Sequence, residues 1–287
     1  MLSGLMVGGL YALLATALAI VYKSTNVLSL VHGQLVVAGA FLCWTFLVPF
    51  GLPIYLSLLL TFIIMAVVGL VLERYTMRPL IGQPIIAAVV MTIALFALLH
   101  GILWMIWGGR MEVYPEIIPS AAIILGKLRI SPAYLWSFVI AILCVIGFTV
   151  FFRFTKAGLN MRATAEDHRL AQSTGIMVKG VFSQSWIISA VIAGIGGILL
   201  GFLQGVQPAL ADVGMKALVV ILIGGLDSIP GAIVGGLLLG ILESVACGYI
   251  DPLVGGGTRE VFAYAMLVII LLFKPYGLFG LKRIERI

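Results

Sequence analysis

Apolar residues gather into long blocks along this chain, at about 2–22, 27–48, 53–72, 84–107, 132–153, 181–204, 229–249 and 259–274. Each block is close to the roughly 20 residues that an α-helix needs to cross a hydrocarbon core of about 30 Å. A further block, 214–226, is too short to cross alone. Polar joints fall at 23–26, 73–83, 108–131, 154–180, 205–213 and 250–258, before the tail LKRIERI. The pattern predicts an all-α polytopic membrane protein, with about eight transmembrane helices plus a short broken or re-entrant helix. Residues 1–287 form one transmembrane domain in this reading.

Composition agrees and narrows the choice. The chain is 62% hydrophobic and 10% charged, against about 45–50% and about 25% in an average soluble domain. So few charges cannot cover a soluble surface of this size. The net charge of +6 does not point to nucleic acid, because membrane proteins gather cations in cytoplasmic loops. No pattern for binding DNA or RNA is present. Cys43, Cys144 and Cys247 lie far apart in apolar blocks, so neither zinc-ligand spacing nor a disulfide is expected. The opening MLSGLMVGGLYALLATALAIVY has no basic lead-in and is long for a cleaved signal, so it is read as the first span.

Orientation follows from the cations. With 154–180 cytoplasmic, the joints 23–26 and 73–83 and the tail fall on the same side. Twelve of the seventeen Lys and Arg residues then lie inside, which predicts the N-terminus out and the C-terminus in.

Two stretches break the regular helical pattern. YKSTNVLSLVHGQLVVAGA, 22–40, places Asn26, Ser29, His32, Gly33 and Gln34 at the start of a span. The other, 206–236, sets Gly224, Gly225, Asp227, Ser228, Pro230 and Gly231 between apolar runs. Backbone groups freed at such breaks must meet protein or water rather than lipid, and short Gly/Pro-broken segments point to a transport pathway.

The segment 155–176, TKAGLNMRATAEDHRLAQSTGI, stands apart as polar and helix-forming. Thr164-Ala-Glu-Asp167 has the form of a helix start, and Gly175 suits the end of a helix of about ten residues. Arg162, Glu166 and Arg169 share one face at spacings of four and three. Ala163, Leu170 and Ala171 fall on another. A helix this short is marginal alone in water. It is either an ordinary basic loop or a helix inserted into a cleft of another subunit, and periodicity does not choose between them.

Resemblance chooses. This segment resembles the cytoplasmic coupling loop of ABC-transporter permeases of the branched-chain amino acid importer family. GLMVGGLYALLATALAIVY at 4–22, NVLSLVHGQLVVAGAF at 26–41, VVILIGGLDSIPGAIVGGLLLGILES at 219–244 and LLFKPYGLFG at 271–280 resemble other signatures of that family. The likeness runs nearly end to end. It implies a multi-pass permease of a bacterial cytoplasmic (inner) membrane, forming half of a pathway for branched-chain or related amino acids or other small polar solutes. It implies a second homologous permease, with a heterodimer favoured, two cytoplasmic ATPases and a periplasmic substrate-binding protein. No G-x-x-x-x-G-K-[ST] run occurs, so ATP and Mg chemistry is expected on the partners. No cofactor, metal or catalytic residue is expected in this chain. Gly158, Arg162, Ala163, Thr164, Glu166, Asp167, Arg169, Leu170 and Gly175 match the family's coupling loop within 154–180.

Polar groups in a bilayer tend to face a bundle interior or a cavity. That makes Asn26, Ser29, His32, Gln34, Gln204, Gln207, Asp227, Ser228 and Glu243 candidates for the pathway. For His32 and Glu243 the competing reading is a structural group held by a neighbouring helix. Gly224, Gly225, Gly231, Gly235 and Gly236 are read as sites of close helix packing. The family has Asn where this chain has Ser29 and Gly where it has Asp227, which weakens any transfer of substrate specificity. The alternatives are an ion-coupled secondary transporter, whose uptake would survive ATP depletion, and a passive channel for a small solute. An intramembrane enzyme fits least, since His32 has no second ligand and no Ser–Lys or Asp–Asp pair stands out.

Overall fold

A computed structural model describes residues 2–116, 123–125 and 128–280, with backbone alone for the strand residues 123–125 and 128–130. The tail LKRIERI and Lys127, both used in the charge argument, lie outside the described residues.

Helices follow the apolar blocks closely: α1 Leu2–Thr25, α2 His32–Leu47, α3 Ile54–Leu72, α4 Ile85–Trp107, α5 Pro132–Phe154, α6 Lys156–Glu166, α7 His168–Ser173, α8 Val178–Gln204, α9 Leu210–Gly224, α10 Ile229–Tyr249, α11 Asp251–Val254 and α12 Thr258–Phe273. A short hairpin, β1 Ile123–Leu125 against β2 Leu128–Ile130, lies between α4 and α5. Among the described residues, six helices are long and apolar enough to cross a membrane. The 16 residues of α2 and of α12 reach only about 24 Å at 1.5 Å per residue. The expected span at 27–48 therefore begins late, at His32. The residues before it are not helical; Thr25 turns its hydroxyl back onto Val21 O at 2.7 Å and accepts from Val27 N at 3.3 Å. Asn26 then takes a left-handed φ of 54° that ends α1.

The joint expected at 73–83 is also different. The chain from α3 stays helical through a π turn, Glu73–Met77, and a 3-10 turn, Arg78–Leu80. Glu73 is carried inward by that turn and is fully buried. Arg78 grips it with Nε 3.0 Å from Oε1 and Nη2 2.8 Å from Oε2, and Ser183 at the start of α8 donates to it at 2.7 Å.

Burial sorts the helices into layers. The most apolar stretch of α1 is 94% buried, whereas those of α3, α4 and α5 are 22%, 17% and 22% buried. Thus α1 is the axis of the subunit, and α3, α4 and α5 present apolar faces outward, as helices that are hydrophobic all round do against lipid. Small residues let α1 meet α10 at backbone distance. A Cβ on Gly8 would sit 2.8 Å from Gly236 O, and a Cβ on Gly236 would sit 2.5 Å from Ala12 N. Gly4 and Gly8 on α1, with Gly236 and Gly240 on α10, form facing small-xxx-small pairs of the kind that bring membrane helices together. Gly39 on α2 likewise abuts Gly194 on α8.

The joints assigned to one side by charge do share one end. There Lys23 and Arg162 both lie over the ring of Phe152, and Leu278 and Phe279 donate to Ile223 O and Gly224 O (2.8 and 2.9 Å). At the other end Glu112 and Val206 exchange backbone hydrogen bonds, and Tyr114 stacks on Phe202 at 4.4 Å. The short helix α9 joins these two ends, although its 15 residues measure only about 22 Å. It does so because the turn before it is sunk into the protein, with Val206 fully buried.

Candidate functional site

The polar loop is two helices, not one. Thr155, still bonded back to Phe151 O, accepts from Gly158 N at 3.1 Å and so caps α6. The helix therefore starts nine residues before the Thr164 cap that the sequence pattern indicates. Thr164 lies inside α6, fully buried, with its hydroxyl donating to Asn160 O at 2.8 Å. The chain breaks at Asp167, which is extended (φ −154°). The Asp167 side chain then accepts from Leu170 N at 3.1 Å and caps α7. Gly175, with φ +86°, ends the segment as expected. The single charge row is thereby divided: Arg162 and Glu166 share α6, while Arg169 falls on α7 and its side chain lies outside the described residues.

Contacts with the bundle are specific. Phe152, at the end of α5, receives Lys23 at 5.2 Å and Arg162 at 6.0 Å from its ring centre, each a cation–π contact. Arg162 also donates to Arg153 O at 3.1 Å. A Cβ at Gly158 would strike the Phe152 backbone, so glycine is what lets α6 fold back tightly on α5. Leu159, Leu170 and Met177 are exposed, with 56%, 66% and 81% of their surface bare. Ala163 is half-buried, Ala171 is buried, and Glu166 is exposed.

The residues proposed for a pathway do not form one cluster. His32 is buried, with Nδ1 2.9 Å from Ser29 Oγ and Nε2 2.5 Å from Ser189 Oγ, and Ser189 donates onward to Ala17 O at 2.8 Å. It thus links α2, α8 and α1. Gln34 lies 3.3 Å from His100 Nδ1 on α4. Asn26 lines a cavity near the polar loop. Gln207 donates to Gln204 O at 3.5 Å, at the opposite end from the loop. Asp227 lines a cavity of about 190 Å³ with Tyr22 and Tyr276. Ser228 caps α10 by accepting from Gly231 N at 3.0 Å.

Glu243 stands in a charged cluster that the pattern does not reveal. It is fully buried on α10, accepts from Tyr11 Oη at 2.8 Å and from Arg259 Nε at 3.3 Å, and pairs with Lys216 Nζ at 3.3 Å. Four helices, α1, α9, α10 and α12, meet on this carboxylate. Lys216 and Arg259 are two of the five cations that the charge count leaves on the outside, where nothing singles them out. The signal available was their charge in or beside apolar runs, where an ionisable group calls for a partner. Nearby, Thr258 donates to Asp251 through its hydroxyl and, at 3.0 Å, its backbone N–H. These bonds hold the Asp251 carboxyl below its usual pKa and position the start of α12.

Comparison with known proteins gives this geometry its context. A family model described as the permease component of branched-chain amino acid transport systems matches residues 1–271. The high-affinity branched-chain amino acid transport system permease protein BraD of Pseudomonas aeruginosa is 29% identical, over 100% of this chain and 97% of its own length. The probable branched-chain amino acid transport permease protein LivH of Methanocaldococcus jannaschii is 32% identical, over 97% and 91%. A chain of the solved PsaBC complex from Streptococcus pneumoniae shares the fold, with a TM-score of 0.50 at 13% identity over 95% of this chain and 90% of that one. The chain belongs to the family of branched-chain amino acid transport permease components.

Proposed function

We propose that this subunit forms half of the pathway of an importer for branched-chain amino acids or related small polar solutes, and that α6 and α7 dock on a cytoplasmic ATPase. As a family member the chain is a membrane permease subunit of an ABC importer and is not itself an enzyme. The relatives' names support the substrate class. In this reading ATP and Mg are handled by two partner ATPases, a second homologous permease completes the pathway as a heterodimer, and a periplasmic protein delivers substrate to the N-terminal, outward side. The chain crosses eight times through α1, α2, α3, α4, α5, α8, α10 and α12. The short α9 makes the additional return that brings the C-terminus inside.

The observation that carries the docking reading is that the polar loop is anchored to the bundle yet leaves apolar side chains bare. It is held on the Phe152 ring through Arg162, whose neighbour on that ring is Lys23 of the central helix. Leu159, Leu170 and Met177 are exposed, on a segment too polar to lie in lipid. Apolar side chains exposed on such a segment are available to a protein partner. A pull on the loop would reach α1 through Phe152 and α8 through the chain itself.

A cysteine introduced as Asp167→Cys should cross-link to an ATPase polypeptide in native membrane. Mass spectrometry of the purified complex should find ATPases and a second permease. Recovery of the chain alone by both routes would sink the docking reading. A charge exchange, Arg162→Glu with Glu166→Arg, should reduce ATP-coupled uptake by about tenfold, the value of roughly 1.4 kcal/mol of lost contact. Normal assembly and uptake would show that neither residue holds the loop in register, whether on the bundle or on the ATPase.

A further inference from the structure

Among the six long spans α4 is the least enclosed, with its most apolar stretch 17% buried. Its buried residues, Ala88, Thr92, Leu95 and Leu103, fall on one side. The bare sides of α3 and α5 carry no His, Asp, Glu, Lys or Arg before Arg153 at the end of α5. Helix α4 differs, because His100 is exposed on it. The 23 residues of α4 measure about 34 Å, little more than a hydrocarbon core of about 30 Å. His100 stands about 10 Å inside the end of α4 at Trp107. An imidazole is too short to reach back to the bilayer surface from there, as Lys and Arg side chains do.

The ring is held in place. Gln34 on α2, itself 1% exposed, lies 3.3 Å from Nδ1. Phe96 stacks on the imidazole at 6.4 Å and Trp104 lies tilted to it at 5.9 Å, one turn to either side. An amide N–H given to Nδ1 leaves the proton of the neutral imidazole on Nε2. That nitrogen has no hydrogen-bond partner among the described residues. An ionisable side chain at this depth faces a bundle interior or a water-filled space rather than lipid. The interior of this subunit lies against the other side of α4, so His100 meets a water-filled space at the subunit's outer wall. Such a space needs a second wall. Residues 117–122, 126–127 and 281–287, outside the described set, are too few to span a bilayer and supply it. The second wall therefore belongs to another membrane subunit.

We propose that His100 lines the solute pathway, on a strip of α4 made by Ile93, Ala97, His100 and Trp104 and closed by the second permease. All four are exposed and share one side of the helix. Nε2–H is the donor that this strip offers to acceptor groups passing it. Gln34, being buried, is a positioning residue that fixes the ring from behind. Leu98, 58% exposed, lies on the opposite side of α4 and keeps lipid contact. The proposal rests on the import reading for the second permease and places the pathway on this chain.

The test uses the complete transporter in its native membrane, with Cys43→Ala, Cys144→Ala and Cys247→Ala as background. His100→Cys, Ala97→Cys and Leu98→Cys are treated with a water-soluble methanethiosulfonate carrying a quaternary ammonium, and modification of this chain is followed by mass spectrometry. The thiolate is the reacting form, so thiols at residues 100 and 97 should react about tenfold or more faster than one at residue 98 in lipid. Modification at residue 97, where the side chain changes least, should cut uptake of radiolabelled leucine by about tenfold, because the added cation obstructs the strip. Equal rates at residues 97, 98 and 100 overturn the proposal, and so does modification at residue 97 that leaves uptake unchanged. A photoreactive maleimide on Ala97→Cys should give adducts with a second permease. Adducts with lipid alone overturn the proposal, and adducts between copies of this chain overturn the assigned partner. Uptake by the unmodified complex is measured in parallel, and its absence would sink the import reading whatever α4 faces.

Discussion

Replacing Glu243 with alanine is expected to destabilise this subunit by about 3–5 kcal/mol, the range for breaking a buried ion pair by removing one partner. The carboxylate is fully buried, and Tyr11, Lys216 and Arg259 converge on it. Lys216 has only 7% of its side chain exposed, so its ammonium cannot turn to water when Glu243 is lost. Arg259, 44% exposed, can rehydrate in part, which makes Lys216 the chief source of the penalty. The double variant Glu243→Ala with Lys216→Met should therefore recover much of the lost stability, because two buried charges leave together. Glu243→Gln should fall between, keeping the acceptor for Tyr11 while losing the charge. Thermal unfolding of the purified complex reads all three. If Glu243→Ala unfolds at the parent temperature, the carboxylate does not hold the four helices, and a role on the transported solute becomes the better account of it.

Gly8→Leu is expected to be equally damaging for a different reason. The Cβ alone would stand 2.8 Å from Gly236 O and 3.0 Å from Leu237 Cα, and these are backbone atoms that cannot rotate away. Accommodating leucine means driving α1 from α10 along the facing glycine pairs, an overpacking cost of roughly 3 kcal/mol. The same shift would pull Tyr11 from Glu243, so the loss should spread to the charged cluster. Gly101→Leu is the control: it adds the same side chain where nothing lies within 4 Å, on α4, whose surface is mostly open. Folded yield and unfolding temperature should fall sharply for Gly8→Leu and stay level for Gly101→Leu. Equal behaviour of the two would mean that α1 and α10 do not pack through glycine.

Several features of the fold are legible in the amino-acid pattern. The apolar blocks coincide with the long helices to within a few residues, and Gly175 ends the polar loop in the left-handed conformation that favours glycine. The glycine-rich break at 224–236 packs closely, as its small residues predict, with a Cβ on Gly235 placed 2.8 Å from Val220 O. The misplaced cap shows where local pattern stops. Thr155 and Thr164 both sit at plausible helix starts, and the choice went to Thr155 because Gly158 must lie against the Phe152 backbone, a contact made by folding α6 onto α5. The joint at 73–83 reads as a polar loop because Glu73 and Arg78 are charged. In the fold they neutralise each other and Ser183 completes the set, so the helix can continue.

What this sequence determined alone is the membrane class, the position of the spans and the polar segment between them. Each is a property of one stretch at a time: an apolar helix satisfies its own backbone hydrogen bonds and transfers its own side chains into lipid. Only the tertiary structure decided that α1 is the buried axis rather than a lipid-facing span: its small residues permit close packing, but which helices enclose it is set by the fold. Only the fold brought Glu243 to Lys216 and Arg259, or set His168 against Phe182. A buried charge or an unpaired donor needs some partner, but which one is set by helix packing between residues distant in the chain, and local pattern carries no record of that.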